Sequence, residues 1–140
     1  LKGAAINNVA SRSTGLMSAV ESTNPALRDA LFRLWLAPTA GHHLEVARAY
    51  RAIGILDTAY DYLARSLTLH GPDPAVHDAV ARLWRDWGQP GSGLSHAYQA
   101  VSLAPDWPVA QNTLGTLLFT LGHRDDAISD FERCFGRWPA

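Results

Sequence analysis

The chain has 140 residues, 47% hydrophobic and 18% charged, a composition typical of one compact or quasi-linear globular domain rather than a disordered tail. Its formal net charge of -1 provides no global field that would attract nucleic acid or anionic lipid, so we expect neither nucleic acid nor a membrane as a partner. One cysteine, Cys134, excludes an internal disulfide framework and a zinc site built on paired thiolates. No apolar run approaches the ~20 residues that a membrane span needs. The localisation and the oligomeric state stay open.

Residues 1–39 carry the weakest pattern. In the segment 24–38, NPALRDALFRLWLAP, apolar residues recur at helical spacing and Pro38 closes the pattern, which predicts one helix. A fainter helical stripe lies upstream and consists of Ile6, Val9, Leu16 and Val20. We expect residues 1–39 to form a degenerate repeat unit or capping helices.

From residue 40 onward the sequence repeats with a period of 34 residues. The step is marked by glycines at Gly54, Gly88 and Gly122. Small residues keep the same step at Ala59, Gly93 and Ala127, and large apolar residues keep it at Tyr50, Trp84 and Leu118. Three repeat units follow, over residues 40–73, 74–107 and 108–140.

Each unit predicts two antiparallel helices, because the apolar spacing is helical on both sides of the repeated glycine. The glycine lies where a helix C-terminus needs a left-handed backbone, a conformation that costs a residue with a side chain. The small column predicts the point at which two helices cross closely. The expected fold class is therefore all-α, an α-solenoid of antiparallel helix pairs.

This pattern resembles the tetratricopeptide repeat (TPR) family over about 100 residues, at the family's characteristic repeat length. The third unit matches the family's pattern at Leu114, Gly115, Leu118, Gly122, Ala127, Phe131 and Pro139. The chain departs from it at the usual large aromatic, which is replaced by His43, His77 and Gln111. Gly93 also stands where alanine is usual. The resemblance implies right-handed superhelical stacking, with the first helix of each unit lining a concave groove.

The stretch GQPGSGLS, residues 88–95, has the outline of a phosphate-binding loop, but Leu94 stands where that loop needs a lysine. A helix precedes it where the loop would need a strand, and Gly88 already belongs to the glycine column. We interpret the stretch as the inter-helix turn of the middle unit, with Ser92 starting the next helix, and expect no cofactor. Glycine within a helix costs up to ~1 kcal/mol relative to alanine, so Gly93→Ala is expected to raise the melting temperature.

Other residue types with possible chemistry have a structural interpretation. The six histidines lack the spacing of a helical metal site, so we interpret them as solvated or capping residues and expect no metal. Cys134 shares a small column with Ser66 and Ala100, which predicts a buried packing thiol. Trp84 and Trp87 occupy apolar columns and are expected in the core. The tryptophans expected to be partly exposed near unit edges are Trp35, Trp107 and Trp138.

The resemblance implies that inward-facing residues of the first helices form the candidate binding groove. Those predicted to contact a partner are Arg48, Arg51, Asp78, Arg82, Arg85, Asn112, Thr116 and Phe119. The other residues expected to point inward are Leu44, Glu45, Ala52, Ala79, Asp86, Thr113 and Thr120. The four arginines could bind a carboxylate or phosphate through forked donors. A solvated face is the competing interpretation, because Asp78 and Arg82 lie four residues apart, as in many exposed helical ion pairs. Lys2 is the only lysine, which argues against the lysine-containing clamp that TPR adaptors for chaperone tails share.

The expected function is a non-catalytic protein-protein interaction scaffold that binds a partner peptide or helix in the concave groove. The alternative is the substrate-recruiting repeat region of a larger enzyme such as a transferase. Replacing Arg82 and Arg85 by alanine is expected to weaken partner binding without unfolding the domain. Because terminal repeats of solenoids need a polar cap, we also expect that the native protein continues beyond Ala140 or that something covers this end.

Overall fold

The computed structural model describes residues 24–135, apart from the side chains of Arg124, Asp130, Phe131 and residues 133–135. Within this range the chain forms seven helices and no strand, which confirms the all-α fold class. In chain order the helices are α1 (Pro25–Leu36), α2 (Ala40–Ala52), α3 (Leu56–His70), α4 (Pro74–Asp86), α5 (Pro90–Leu103), α6 (Pro108–Thr120) and α7 (Arg124–Phe135). The predictions for the upstream stripe, the Cys134 side chain, Trp138 and Pro139 lie outside the described residues.

Short polar residues and prolines begin the helices. Asn24 accepts a hydrogen bond from the Leu27 amide at the start of α1, and Asp73 accepts two at the start of α4. These side chains satisfy amide groups that have no partner within the first helical turn. A proline occupies the first position of α1, α4, α5 and α6. Its missing N–H costs nothing there, because an N–H at this position has no acceptor within the helix. Because Pro90 begins α5, the prediction that Ser92 starts this helix is wrong by two residues.

The repeated glycines end the first helix of each unit in the same way. Gly54, Gly88 and Gly122 have φ values of 83°, 78° and 90°, in the left-handed region that glycine adopts without strain. In each turn the glycine amide donates to a carbonyl three residues back, and the next amide donates to one five residues back. This pair of bonds is a Schellman motif, so the prediction of a left-handed helix cap is confirmed at all three positions.

The helices pack as a one-dimensional array. α2 packs on α3, α4 on α5 and α6 on α7, while each second helix also contacts the first helix of the next unit. α2 additionally contacts α4, and α4 contacts α6, whereas among the described residues α3, α5 and α7 make no such contacts with one another. First helices therefore lie closer together than second helices, so the array curves with α2, α4 and α6 on its concave side.

Two apolar clusters form the core. The larger one joins α1 to α4 and includes Leu27, Val46, Tyr50 and Leu63, all at most 2% exposed. The smaller one joins α4 to α7 and consists of Ala81, Ala97, Leu114, Leu117, Leu118 and Ala127. Since the clusters run on through successive units, each unit completes the core of its neighbour, as in other repeat proteins.

Gly93 is required by a close helix crossing. A Cβ atom built on it would lie 2.8 Å from the Ala81 carbonyl oxygen and 3.1 Å from the Trp84 Cβ. The sister residues Ala59 and Ala127 are both fully buried, so the prediction that this column marks helix crossings is confirmed. The expected stabilisation by Gly93→Ala is wrong, because α4 approaches α5 too closely to admit a methyl group.

Two groups of aromatic side chains differ from the sequence-based expectation. Trp87 is 38% exposed, so its assignment to the core is wrong, although its ring contacts those of Tyr60 and Trp84 in tilted arrangements. His43 and His77 are 2% and 7% exposed, so they are neither solvated nor simple capping residues. Both occupy the column where the TPR pattern has a large aromatic, and their burial retains the packing role of that position.

Candidate functional site

Three residue columns line the concave face formed by α2, α4 and α6, which we call the groove. In order of unit, the first column is Leu44, Asp78 and Asn112, the second is Arg48, Arg82 and Thr116, and the third is Arg51, Arg85 and Phe119. All nine lie on first helices, as the 34-residue period requires. The structure thus brings the eight predicted site residues to one face, but their environments differ strongly.

Asp78 is buried within the groove wall. It is 4% exposed, and its Oδ2 forms an ion pair with Arg82, with 2.9 Å between Oδ2 and Nε. Arg82 Nε also lies 3.3 Å from the hydroxyl oxygen of Thr113 on α6, which links two neighbouring units. Burial raises the pKa of the Asp78 carboxyl. The Thr113 hydroxyl and the guanidinium groups of Arg82 and Arg48 oppose this increase.

Asp86 connects the first two units. Its Oδ2 accepts a hydrogen bond from Arg51 Nε at 2.5 Å, and its Oδ1 lies 3.6 Å from Arg85 Nε. Each of these three side chains is about one third exposed, so solvent screens the pairs and their contribution to stability is small. Their main effect is geometric, since Asp86 holds both guanidinium groups near the groove surface.

Arg48 differs from the other three arginines because the described residues offer it no ion pair. Its side chain is exposed at the rim of a pocket between α2 and α4. Arg51, Arg82 and Asp78 also line this pocket, which is small and open to solvent. The floor is apolar and consists of Ala47, Ala59, Leu63, Ala79 and Leu83.

The end of the groove formed by α6 is uncharged. The Thr116 hydroxyl donates to the Asn112 carbonyl at 2.8 Å, so this hydroxyl is already engaged within its own helix. Phe119 is 54% exposed and stands in the column that carries arginine in both preceding units. The groove therefore changes from cationic to neutral and aromatic along the array.

Glu45, expected to face the groove, instead pairs with α1. Its Oε2 lies 3.0 Å from Arg33 Nε, which ties α2 to the preceding helix. Asp86 and Ala79 were expected to point into the groove but were not predicted to contact a partner, and the other residues of the pocket floor were not predicted to face the groove. The pairing of Asp86 with Arg51 was not predicted.

Two of the histidines, His43 and His77, are buried outside the groove. His77 Nδ1 on α4 lies 3.0 Å from His96 Nδ1 on α5, within hydrogen-bond distance. His43 Nδ1 lies 2.8 Å from the Thr39 carbonyl oxygen, to which it can donate. Burial lowers the pKa of all three imidazoles.

Within residues 24–135, no three His, Cys, Asp or Glu side chains are grouped so that they could hold a metal ion. The helices of the same range include none with the length and apolarity to cross a membrane.

Comparisons with known proteins address the fold. No protein-family model matches the chain. A curated relative, the anaphase-promoting complex subunit cut9 of Schizosaccharomyces pombe, is 29% identical over 77 residues. That match covers 55% of this chain but only 12% of the relative's length.

Two solved structures are similar over most of the chain. TTC0263, described as a thermophilic TPR protein of Thermus thermophilus, superposes with a TM-score of 0.74 at 20% identity, covering 91% of this chain and 70% of that one. MamA superposes with a TM-score of 0.69 at 18% identity, covering 80% of this chain and 66% of that one. Together with the three Schellman turns, the small-residue crossings and the 34-residue period, these similarities show that the chain has the tetratricopeptide-repeat fold.

Proposed function

We propose that this chain is a non-catalytic protein-protein interaction scaffold that binds a partner peptide or helix in its groove. The observation that carries the proposal is the pocket between α2 and α4, where the exposed Arg48 makes no close ion pair in the described residues and acts on the buried Asp78 only at longer range. A concave face with a preformed pocket and directed donors suits recognition of another chain.

Some groove arginines hold the fold together, whereas others could contact a partner. Arg82 holds the buried Asp78 and contacts Thr113, so replacing it by alanine leaves a buried carboxylate without its partner. We therefore expect Arg82→Ala to lower the stability of the fold, so that the variant with both Arg82 and Arg85 replaced by alanine would not separate binding from stability. Arg48 and Arg85 are the better groove probes, since Arg48 has no ion pair among the described residues and Arg85 makes one long contact with Asp86.

A capture experiment with matched variants tests the proposal. The wild-type chain is immobilised, and proteins retained from the source cell are identified and then titrated as purified partners. The variant with both Arg48→Ala and Arg85→Ala is expected to lose retention and affinity, because it removes two donors of the groove. The control Arg28→Ala removes an exposed charge from α1 and should retain the partner. Equal affinity of the groove variant and the control would show that partners bind elsewhere.

The alternative function, the substrate-recruiting repeat region of a larger enzyme, would use the same groove. The scaffold hypothesis and this alternative differ in what the full reading frame encodes beside the repeats, so sequencing that frame distinguishes them. In either case the described residues would contribute binding.

A further inference from the structure

The middle unit contains two facing histidines that lie outside the groove. His77 on α4 and His96 on α5 place their Nδ1 atoms 3.0 Å apart, while their ring centroids are 5.3 Å apart. The two rings therefore meet at their Nδ1 atoms, across the crossing of α4 and α5, rather than through stacked faces. His77 is 7% exposed, so this contact is largely shielded from water.

The number of protons on the two rings decides whether their contact is attractive. A hydrogen bond between two imidazoles needs a proton on one nitrogen and a free lone pair on the other. Two neutral rings meet this condition when their tautomers differ, and one charged ring beside a neutral ring also meets it. When both rings are charged, both Nδ1 atoms carry a proton, so the rings repel each other at this distance. The closed pair can therefore take up a first proton but not a second.

The helix crossing keeps the two rings together while the unit is closed. Gly93 lies one helical turn before His96, and Ala81 lies one turn after His77. A Cβ atom on Gly93 would be 2.8 Å from the Ala81 carbonyl oxygen, so the two backbones meet one turn from the histidine contact. Because this crossing is closely packed, separating α4 from α5 is the way to relieve repulsion between two charged rings.

Few other charges act on the two histidines. Burial lowers the pKa of His77, and Asp73, which caps the start of α4, opposes this decrease. Burial and the charge of His77 both lower the pKa of His96. The helices α2, α3 and α6 also pack on α4 or α5, but in the described part of the chain none of their charged groups contributes to either shift. The contact therefore responds to pH mainly through its own two imidazoles.

The neighbouring units have a different arrangement at the position of His77. In the third unit this position is Gln111, whose uncharged amide donates to the Pro105 carbonyl oxygen. In the first unit it is His43, whose Nδ1 lies 2.8 Å from the Thr39 carbonyl oxygen and whose ring meets that of His70 edge-on. Among the described residues, two imidazole nitrogens face each other in the middle unit alone.

We propose that the contact between His77 and His96 is a pH-sensitive switch: it holds α4 against α5 near neutral pH, and the crossing opens when acid protonates both imidazoles. The third unit, formed by α6 and α7, keeps its packing under the same conditions. This inference concerns the response of the fold to acid and does not depend on what the groove binds. Because the open state binds at least one more proton than the closed pair, its population should rise about tenfold per pH unit below about pH 6.5.

Hydrogen exchange of the full chain, followed by mass spectrometry at about pH 7 and about pH 5.5, tests the proposal. After correction for intrinsic exchange rates, the protection of α4 and α5 should fall at least about threefold more than that of α6. In His77→Gln, which introduces the residue type of the third unit, this difference should disappear. His77→Phe should also abolish it while retaining a packed ring, which keeps the comparison valid if the glutamine variant is less stable. The control His123→Gln removes an exposed histidine and should respond like the wild-type chain.

Two exchange results would overturn the proposal. One is an equal response of α4, α5 and α6 to acid in the wild-type chain, and the other is an excess response of α4 and α5 that persists in both His77 variants. Nitrogen-15 NMR of the wild-type chain gives a measurement that needs no substitution. Near neutral pH, one of the two rings should have a protonated Nδ1 and the other an unprotonated Nδ1. The same protonation state at both Nδ1 atoms would exclude the hydrogen bond and with it the switch.

Discussion

The close approach of α4 and α5 makes Gly93→Ala the most direct test of the packing. The new methyl group would lie 2.8 Å from the Ala81 carbonyl oxygen and 3.1 Å from the Ala81 Cα. These are backbone atoms, so they cannot rotate away and the two helices must separate. Gly93 is itself buried, which leaves no solvent-filled space to accommodate the shift.

Two opposing contributions determine the size of the effect. Overpacking a well-packed crossing costs ~1–3 kcal/mol, and contact with backbone favours the upper part of that range. Replacing a helical glycine by alanine returns up to ~1 kcal/mol through helix propensity. The net destabilisation is therefore about 1–2 kcal/mol, which corresponds to a fall in melting temperature of about 3–7 °C for a chain of this size.

Gly91→Ala provides a matched control within the same helix. A Cβ atom on Gly91 would meet only Leu121 Cδ2, at 3.9 Å, which is ordinary contact. This variant should raise the melting temperature by about 1–3 °C. Both variants are compared with the wild-type chain by circular dichroism during heating. A rise for Gly93→Ala similar to that for Gly91→Ala would refute the steric argument.

Three further predictions concern stability, each measured by urea unfolding. Because burial lowers the pKa values of His43, His77 and His96, the unfolded chain binds more protons than the folded chain as the pH falls below 6.5. The free energy of unfolding should therefore decrease between pH 6.5 and 5.5, and a flat profile would contradict the burial of these imidazoles. Arg82→Ala should lower the free energy of unfolding by about 1–3 kcal/mol, because it leaves Asp78 buried without its partner. Arg85→Ala should lower it by less than ~0.5 kcal/mol, and equal losses for the two variants would refute this distinction. Asp73→Ala should lower the free energy of unfolding by about 1–2 kcal/mol, because it removes the two hydrogen bonds that cap α4, whereas Asp73→Asn should retain most of the stability. An alanine variant as stable as the wild-type chain would show that this cap does not stabilise the helix.

The fold was predictable because its determinants recur at one period. Each glycine supplies a left-handed helix end, and its meaning is the same in all three units. At Gly93 the repeat pattern does not predict which small residue the crossing requires. A column of small residues indicates that two helices approach, but the difference between alanine and glycine depends on a distance to Ala81 that no local pattern specifies.

The sequence predicts which residues lie in the groove, but it does not predict which carboxylate each arginine pairs with. The period places Arg48, Arg51, Arg82 and Arg85 on first helices, yet whether each arginine is engaged depends on which carboxylate it reaches. Asp86 lies 35 residues from Arg51 in sequence and meets it through the stacking of units. The contact between His77 and His96 likewise crosses an inter-helix turn. Both depend on side-chain reach between helices, which composition and spacing leave undetermined.

The repeat frame separates the positions that hold the array together from those that can vary. At the crossing column, Ala59, Gly93 and Ala127 are buried because two backbones meet there, so side-chain size is restricted in every unit. At the groove columns, arginine in two units gives way to Thr116 and Phe119 in the third while the backbone path is unchanged. Groove chemistry can therefore change from unit to unit without cost to the crossings, and the order of charged and apolar groups along the groove becomes a property of the sequence rather than of the fold.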